Sequence, residues 1–561
     1  MPERILVTAA LPYANGPLHL GHLAGAYLPA DVYVRYQRLK GSDVIYICGS
    51  DEHGVPITIR ADNERVTPQE IVDRYHAVMK ESFRRMGIRF DNYSRTSLPL
   101  HHRVSQEFFL TLYRKGYIRA QEVRQCYCDS CRRFLPDRYI EGECPHCHAP
   151  DARGDQCEKC GRALEPEQII APRCKICGSA PGMRTTKHWY FRLSAFQKQL
   201  EEWQQSKPHW RGNVREFSAG WFSEGLSDRA ITRDLDWGVP VPLAEAKGKV
   251  LYVWFDAPIG YISSTREWAV NQGRPELWRD YWCDPGTRLV HFIGKDNIVF
   301  HAIVWPAMLM AHGEFILPDQ IPANEFLNIE RRKLSTSRNW AVWVDDYLEV
   351  FPPDPLRYYL AANCPETKDA DFTWKDFQAR NNNELADVLG NLVNRSLSFI
   401  EKQFGARVPP AGQPSAADRE VAAAAGRACE TIGRALDDFQ LRRAAAELLN
   451  LARIGNRYFN DSAPWISIKQ DRARCATTLN TVVQLELALA VLMEPFMPFS
   501  AEKLWAMLGA PGSHREQHWR EIPNLRLPDN HPLGPRVILF HKIDDAVVDA
   551  QIARLHGGAG A

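Results

Sequence analysis

Hydrophobic and polar positions divide the chain into an α/β part, an aperiodic part and a helical part. Residues 4–10 (RILVTAA) are a short, mostly apolar run with β-branched side chains, followed by the turn cluster PYANGP and then by HLGHLAGAYLPADVYVRYQRLKG with helical spacing. Strand, loop and helix in that order open a doubly wound α/β unit. DVIYICGSDEHG repeats the pattern, with an apolar strand over 43–48 and a polar loop at its carboxyl end, where such sheets bind ligands. Much later, KVLYVWFDAPIGYISS and TRLVHFIGKDNIVFHAIVWPAML both read as strand, loop and helix. Over 126–177 the periodicity gives way to Cys, Gly, Pro and charge, so the predicted sheet is split by an insertion.

After Trp374 the strands disappear. FQARNNNELADVLGNLVNRSLSFIEKQF, the stretch from AADREV to YFNDS, and residues 474–493 all carry helical spacing, with GARVPPAGQPS (405–415) between the first two. The predicted fold is α/β: a Rossmann-type doubly wound parallel sheet split by an insertion and followed by an α-helical bundle. The expected units are 1–115 and 233–325 for the two halves of the sheet, 116–232 for the insertion, 326–375 for a basic loop region, and 376–561 for the bundle, with GGAGA as a frayed tail.

Composition adds limits. Of 561 residues 45% are apolar and 24% charged, which is ordinary for globular chains and excludes a long disordered or collagen-like protein. Lys and Arg number 69 against 68 Asp and Glu, so RNA contact must rest on local basic patches. The start lacks a signal-peptide pattern, and the longest apolar run, 487–493, is far short of the ~20 residues that span a bilayer. The expectation is a soluble, cytoplasmic protein with no membrane partner.

Eight of the 14 cysteines form four Cys-x-x-Cys turns: Cys128/Cys131, Cys144/Cys147, Cys157/Cys160 and Cys174/Cys177. Eight thiolates suffice for two closed, tetrahedral, structural Zn2+ sites, and closed shells leave no position for a substrate. Spacing alone leaves sequential and nested pairing both open. Cys48, Cys126, Cys283, Cys364, Cys429 and Cys475 read as packed or free, while His146 and His148 are alternative ligands beside Cys147.

His19-Leu20-Gly21-His22 lies where the first loop meets its helix. Two imidazoles three apart share a helix face, and helix N-termini attract phosphate; the same spacing also suits a metal or plain exposure. Lys333-Leu334-Ser335-Thr336-Ser337, with Arg331, Arg332 and Arg338 beside it, is either a solvated turn or a source of cations for a departing pyrophosphate. Together the two resemble the HIGH and KMSKS signatures of class I aminoacyl-tRNA synthetases, about 310 residues apart. ALPYANGPLHLGHL, GSDEHGVPI, KHWYFRL, YVWFDAPIGY, FIGKDNIVFH and NDSAPW resemble the methionyl-tRNA synthetase family in order, over residues 5 to 470.

That resemblance implies that methionine and ATP give methionyl-adenylate, and that methionine then passes to its tRNA. It implies catalytic roles for His19, His22 and Lys333, and ATP contacts for these with Gly21, Gly294, Asp296, Ser335 and Thr336. It places Asp51 at the methionine ammonium and Leu11, Tyr13, Trp254, Ala257, Pro258, Tyr261 and His301 around the thioether. Arg233 and Lys295 fall near the adenylate. Relatives with a single zinc keep the middle turns, which favours nested pairing: Cys144, Cys147, Cys157 and Cys160 on one ion, Cys128, Cys131, Cys174 and Cys177 on the other. Two departures stand out: Thr336 replaces the second signature lysine, and Asn297 stands where some relatives have an apolar residue.

Further expectations follow. Mg2+ arrives with ATP. Asn391 and Arg395, one helix face, and Trp465 after Pro464 fall on anticodon-reading positions, where amide, guanidinium and indole suit unpaired bases. The partners are methionine, ATP and methionine tRNA, initiator and elongator, and the chain is expected to act as a monomer because no appended module follows the bundle. The short insertion argues against isoleucine, valine and leucine as substrates. Two rivals are weighed: cysteinyl-tRNA synthetase, which uses an active-site zinc, and a non-catalytic zinc-ribbon RNA-binding protein.

Overall fold

The computed structural model describes residues 2–558 except 137–138, 155–156, 158, 161, 163, 165 and 337, so Ser337 lies outside the described residues. Five parallel strands form the central sheet: β1 (Arg4–Ala9), β2 (Asp43–Ser50), β3 (Asn92–Arg95), β4 (Arg288–Gly294) and β5 (Ala323–Asn324). Their order is β5-β4-β1-β2-β3, so the chain reverses its direction of travel across the sheet between β1 and β4. In such sheets the crevice at that reversal, beyond the carboxyl ends of the strands, is the ligand site.

Burial follows from the period-two geometry of strands covered on both faces. Ile5, Val7 and Ala9 of β1, with Tyr46 and Cys48 of β2, belong to one core, shared with helix α1 (Leu28–Lys40) and the helical domain. Leu6, Ile45 and Ile47 face the other, shared with α2 (Ile259–Asn271) and the insertion. The helical domain is thereby packed onto the sheet, and the buried ion pair of Arg35 with Glu494 crosses the junction, while Arg35 and Arg357 both hold Asp31 beside it.

Two predicted elements differ. Val250–Leu251 is a two-residue strand pairing antiparallel with Thr232–Arg233 and is followed by the helical turn Val253–Asp256, so KVLYVWF contributes nothing to the central sheet, and its Leu251 and Phe255 pack in the second core instead. The long helical stretch after residue 415 is two helices, α4 (Ala416–Asp437) and α5 (Leu441–Asp461), because Phe439 takes a left-handed backbone (φ 57°) that no helix continues through. α3 (Asn391–Phe404) precedes them and α6 (Arg472–Leu492) follows. α6 is long and apolar enough to cross a membrane by composition, but 89% of its most apolar window is buried within the domain, as a core helix requires.

The insertion is built on a long antiparallel pair, Ile118–Cys128 with Gly182–Phe191. At its far end the four cysteine turns gather into two clusters, Cys128/Cys131/Cys174/Cys177 and Cys144/Cys147/Cys157/Cys160, which is the nested grouping.

Candidate active site

A cleft of about 1100 Å3 opens at the carboxyl ends of β1 and β4. His19 caps the helical turn Leu20–His22. Its Nδ1 accepts the His22 backbone N–H at 3.3 Å, and the His22 Nδ1 accepts the His19 N–H at 3.2 Å, with the rings stacked 3.6 Å apart. An acceptor Nδ1 carries no proton, so each neutral imidazole holds its hydrogen on Nε2 and is a donor. Burial favours that neutral form: it lowers His22 to about 4, and burial with the His22 charge lowers His19 well below the usual imidazole value. Both rings line the cleft.

The second signature lies against the first. A Cβ added to Gly21 would stand 3.1 Å from the His19 ring and 3.2 Å from Leu334, so any larger residue would push one or both side chains aside by a few tenths of an ångström. Leu20 N–H donates to Val342 O, which ties the residues after the basic loop to the helix start. Lys333 and Thr336 line the cleft; Arg331, Arg332 and Arg338 do not, and Arg332 lies over the Trp340 ring at 4.9 Å. Among the described residues Arg60 is the other cationic Lys or Arg side chain on the cleft wall, a residue that no sequence motif marked. Its Nε donates to Glu64 and its terminal nitrogen to the Asn15 carbonyl.

Asp51 follows directly on β2 at 4% exposure, accepting the His53 backbone N–H at 3.3 Å. Burial, then the charge of Asp256, pushes its carboxyl well above the carboxylate range. An opposite charge placed beside such a group favours its ionised form. Around it, Leu11, Tyr13, Trp254, Ala257, Pro258, Tyr261 and His301 all line the same cleft. Trp254 stacks on Phe300 at 3.9 Å and meets Tyr13 edge-on at 6.4 Å. Phe300 is a wall that sequence reasoning passed over, although FIGKDNIVFH contained it. Tyr261 Oη lies 2.8 Å from His301 Nε2, and His301 Nδ1 3.0 Å from the Asn297 carbonyl. The carbonyl can only accept, so His301 donates through Nδ1 and accepts from the tyrosine hydroxyl.

Gly294 and Asp296 line the cleft at the end of β4. Three expected contacts do not. Lys295 turns away to Glu325 (2.7 Å) and Asp369 (2.8 Å). Arg233 bonds the carbonyl of Thr232 at 2.8 Å and lies over Tyr252 at 3.8 Å. Ser335 pairs its backbone with Trp340.

None of the eight clustered cysteines lines the cleft. Within their two clusters the Cys128–Cys177, Cys131–Cys174, Cys144–Cys160 and Cys147–Cys157 sulfurs are 3.4, 3.8, 3.9 and 3.6 Å apart. Four thiolates on one zinc at ~2.3 Å give edges of about 3.8 Å, so both clusters have room for a tetrahedral ion. In the helical domain Asn391 opens α3, and Arg395 on its face bonds Asn460 at 2.9 Å with its guanidinium 5.8 Å from the Trp465 ring. Trp465 begins the short helix Pro464–Gln470 and is 44% exposed, much for an indole.

The chain matches the family of tRNA synthetases class I (M) over residues 5–397 and the anticodon binding domain of methionyl tRNA ligase over 408–560. It is 54% identical over 557 residues to the methionine–tRNA ligase of Bacteroides fragilis (strain YCH46), covering 99% of this chain and 81% of that one. It is 49% identical over 555 residues to the enzyme of the same name from Pyrococcus furiosus, covering 97% and 76%. Among solved structures, Mycobacterium tuberculosis methionyl-tRNA synthetase in complex with methionyl-adenylate superposes with a TM-score of 0.79 at 29% identity, over 96% of this chain and 99% of that chain. The apo form of the same enzyme gives 0.72 at 28% identity over 97% and 99%. Matched over nearly its whole length by both family descriptions and by these relatives, the chain belongs to the methionyl-tRNA synthetases, class I ligases that activate methionine with ATP and transfer it to tRNA.

Proposed function

We propose that the cleft binds methionine by its two ends and ATP along the two signatures. Asp51 holds the ammonium, and Leu11, Tyr13, Trp254, Ala257, Pro258, Tyr261 and His301 enclose the thioether, a polarizable group suited to aromatic walls. A methionine carboxylate oxygen then attacks the α-phosphorus. The α–β phosphoanhydride bond breaks, pyrophosphate leaves, and the Nε2–H groups of His19 and His22 with the Lys333 ammonium meet the charge that develops on phosphate oxygens. In the second step a hydroxyl of the terminal adenosine of tRNA attacks the methionyl carbonyl, and AMP leaves. Gly21, Gly294, Asp296 and Thr336 complete the ATP surface. Mg2+ bound with the nucleotide would supply charge neutralisation at its phosphates.

The observation that carries this reading is Asp51, a buried carboxylate without a cationic side chain beside it among the described residues, facing an aromatic pocket next to a pair of imidazole donors. We assign catalysis to 1–115 and 233–325, the insertion to 116–232, acceptor-stem contact to 326–375 and anticodon reading by Asn391, Arg395 and Trp465 to 376–561. Two structural zincs, action as a monomer in the cytoplasm, and service to both initiator and elongator tRNA belong to the same proposal. The test is amino-acid-dependent ATP–pyrophosphate exchange without tRNA, comparing methionine with cysteine, isoleucine, leucine and valine. Exchange with methionine alone is expected; exchange with cysteine instead would overturn the pocket assignment.

A further inference from the structure

The loop that presents Asp51 is pinned by its two neighbours. Glu52 is anchored below, its carboxylate receiving Ser50 (2.7 Å), Arg95 (2.8 Å) and Ser97, and its backbone carbonyl receiving Trp237 Nε1 at 2.6 Å. His53 turns the other way and donates through Nδ1 to Asp256 Oδ2 at 2.6 Å. Asp256 ends the helical turn Val253–Asp256, which carries Trp254 and leads into Ala257. His101, on the helix Pro99–Arg114, packs beside the pair: its Nε2 meets Ser105 Oγ at 3.1 Å and lies 3.5 Å from the same carboxylate oxygen, and its Nδ1 is 2.9 Å from Ser263 Oγ on α2. His53, Asp256 and His101 are 2%, 0% and 1% exposed, and none of them lines the cleft.

Asp51 and Trp254 are about 200 residues apart in sequence. Among the described residues no backbone ladder joins their segments, since Val250–Leu251 pairs with Thr232–Arg233 and not with β2. The register of the two walls therefore depends on side chains. A metal centre explains the cluster less well: two ligands at ~2.0–2.1 Å on a tetrahedral ion stand about 3.3 Å apart, whereas 2.6 Å is a charge-assisted hydrogen bond.

We propose that His53, Asp256 and His101 are positioning residues for methionine: their buried cluster locks the loop bearing Asp51 to the turn bearing Trp254, fixing the ammonium subsite relative to the thioether wall. The inference rests on the assignment of those two subsites. Freed of the link, the walls drift by fractions of an ångström, and misplacement of that size is costly in a site that recognises both ends of a small ligand.

The test is pyrophosphate exchange by His53→Ala, His53→Asn and Asp51→Asn, with KM for methionine and for ATP measured separately. The asparagine amide nitrogen takes the place of Nδ1 and can donate to Asp256. His53→Ala should raise KM for methionine on the order of 10- to 100-fold with KM for ATP within about twofold, and His53→Asn should recover most of the loss. Should His53→Ala not fold, Asp256→Asn, equal in size, should show the same split. Equal losses for both substrates with no rescue by Asn would overturn the proposal, as would a third bound metal equivalent that disappears in His53→Ala. An unchanged methionine KM in Asp51→Asn would instead refute the subsite assignment itself, so the two failures are distinguishable.

Discussion

Asp51→Asn separates what the carboxylate does for the ligand from what it costs the free protein. The side chain is 4% exposed, accepts one hydrogen bond from the His53 backbone at 3.3 Å, and has no Lys or Arg among the groups that shift it. Asparagine keeps its size and gives up the charge. A methionine ammonium would then be desolvated against a neutral amide, and removing one partner of a buried charge pair costs about 2–5 kcal/mol. At 1.4 kcal/mol per tenfold, KM for methionine in pyrophosphate exchange should rise ~30- to ~4000-fold, with KM for ATP as internal control. Stability should move the opposite way. Burial and the Asp256 charge raise the folded-state carboxyl above its ordinary 3.8, so the unfolded chain ionises first as pH rises. Asp51 therefore subtracts from stability above that value, fully so once its folded-state pKa is passed, and subtracts nothing below it. The ligand-free variant should melt above the parent protein at neutral pH and equal it near about pH 4. An unchanged KM for methionine, or a gain in Tm that persists at low pH, would refute the reasoning.

Removing the imidazole in His22→Ala should cut exchange kcat about 10²- to 10³-fold, the loss typical of a single preorganised donor, while tRNA binding persists. The same ring sets an acid limit. Its folded-state pKa, lowered by burial from 6.5 to about 4, means that its contribution to stability is present above 6.5 and lost as pH falls through about 4, where protonation also destroys the reciprocal cap. Activity and Tm profiles that are flat through that range would contradict it. Elemental analysis should find two zincs per chain, with Cys144→Ser and Cys128→Ser each losing one, since the nested clusters share no ligand; loss of both ions in either variant would count against that independence. Trp465→Ala should leave pyrophosphate exchange intact and lower aminoacylation kcat/KM by about 5- to 150-fold, the worth of one stacked base, whereas a parallel fall in exchange would place Trp465 in the fold rather than at the anticodon.

What the sequence disclosed depended on how local its signal was. β1, β2 and β4 are buried on both faces and are written as apolar runs, so their positions and the split of the sheet could be read directly. β3 (NYSR) is an edge strand with a half-polar pattern, and β5 has only two residues, so neither announces itself. The apolar run KVLYVWF belongs to a turn because its side chains fill the second core and the aromatic wall, a tertiary reason that periodicity does not carry. The cleft residues carried by contiguous motifs, His19, Gly21, His22, Asp51, Trp254 and Lys333, could be named before the structure. Arg60, Phe300 and the His53–Asp256–His101 cluster could not, because their meaning lies in partners tens to hundreds of residues away. Lys295 illustrates the converse: it sits in a motif, yet two acidic neighbours draw it out of the cleft.

The electrostatics of the cleft share one logic. Burial disfavours charge on His19, His22, His301 and Asp51 alike, and each is shifted toward its neutral form. A neutral imidazole is what a phosphate donor should be here, because the reciprocal cap needs Nδ1 free of a proton while Nε2 keeps its own. For Asp51 the same burial is a penalty that only a ligand removes: an arriving ammonium supplies the missing opposite charge and favours the carboxylate. Binding of methionine should therefore release a proton wherever Asp51 is protonated in the free protein, and affinity should weaken as pH falls through that range. Calorimetry in buffers of different ionisation enthalpy reads that proton directly. Its absence in Asp51→Asn would assign it to this carboxyl, and its persistence there would place the titrating group elsewhere in the cleft.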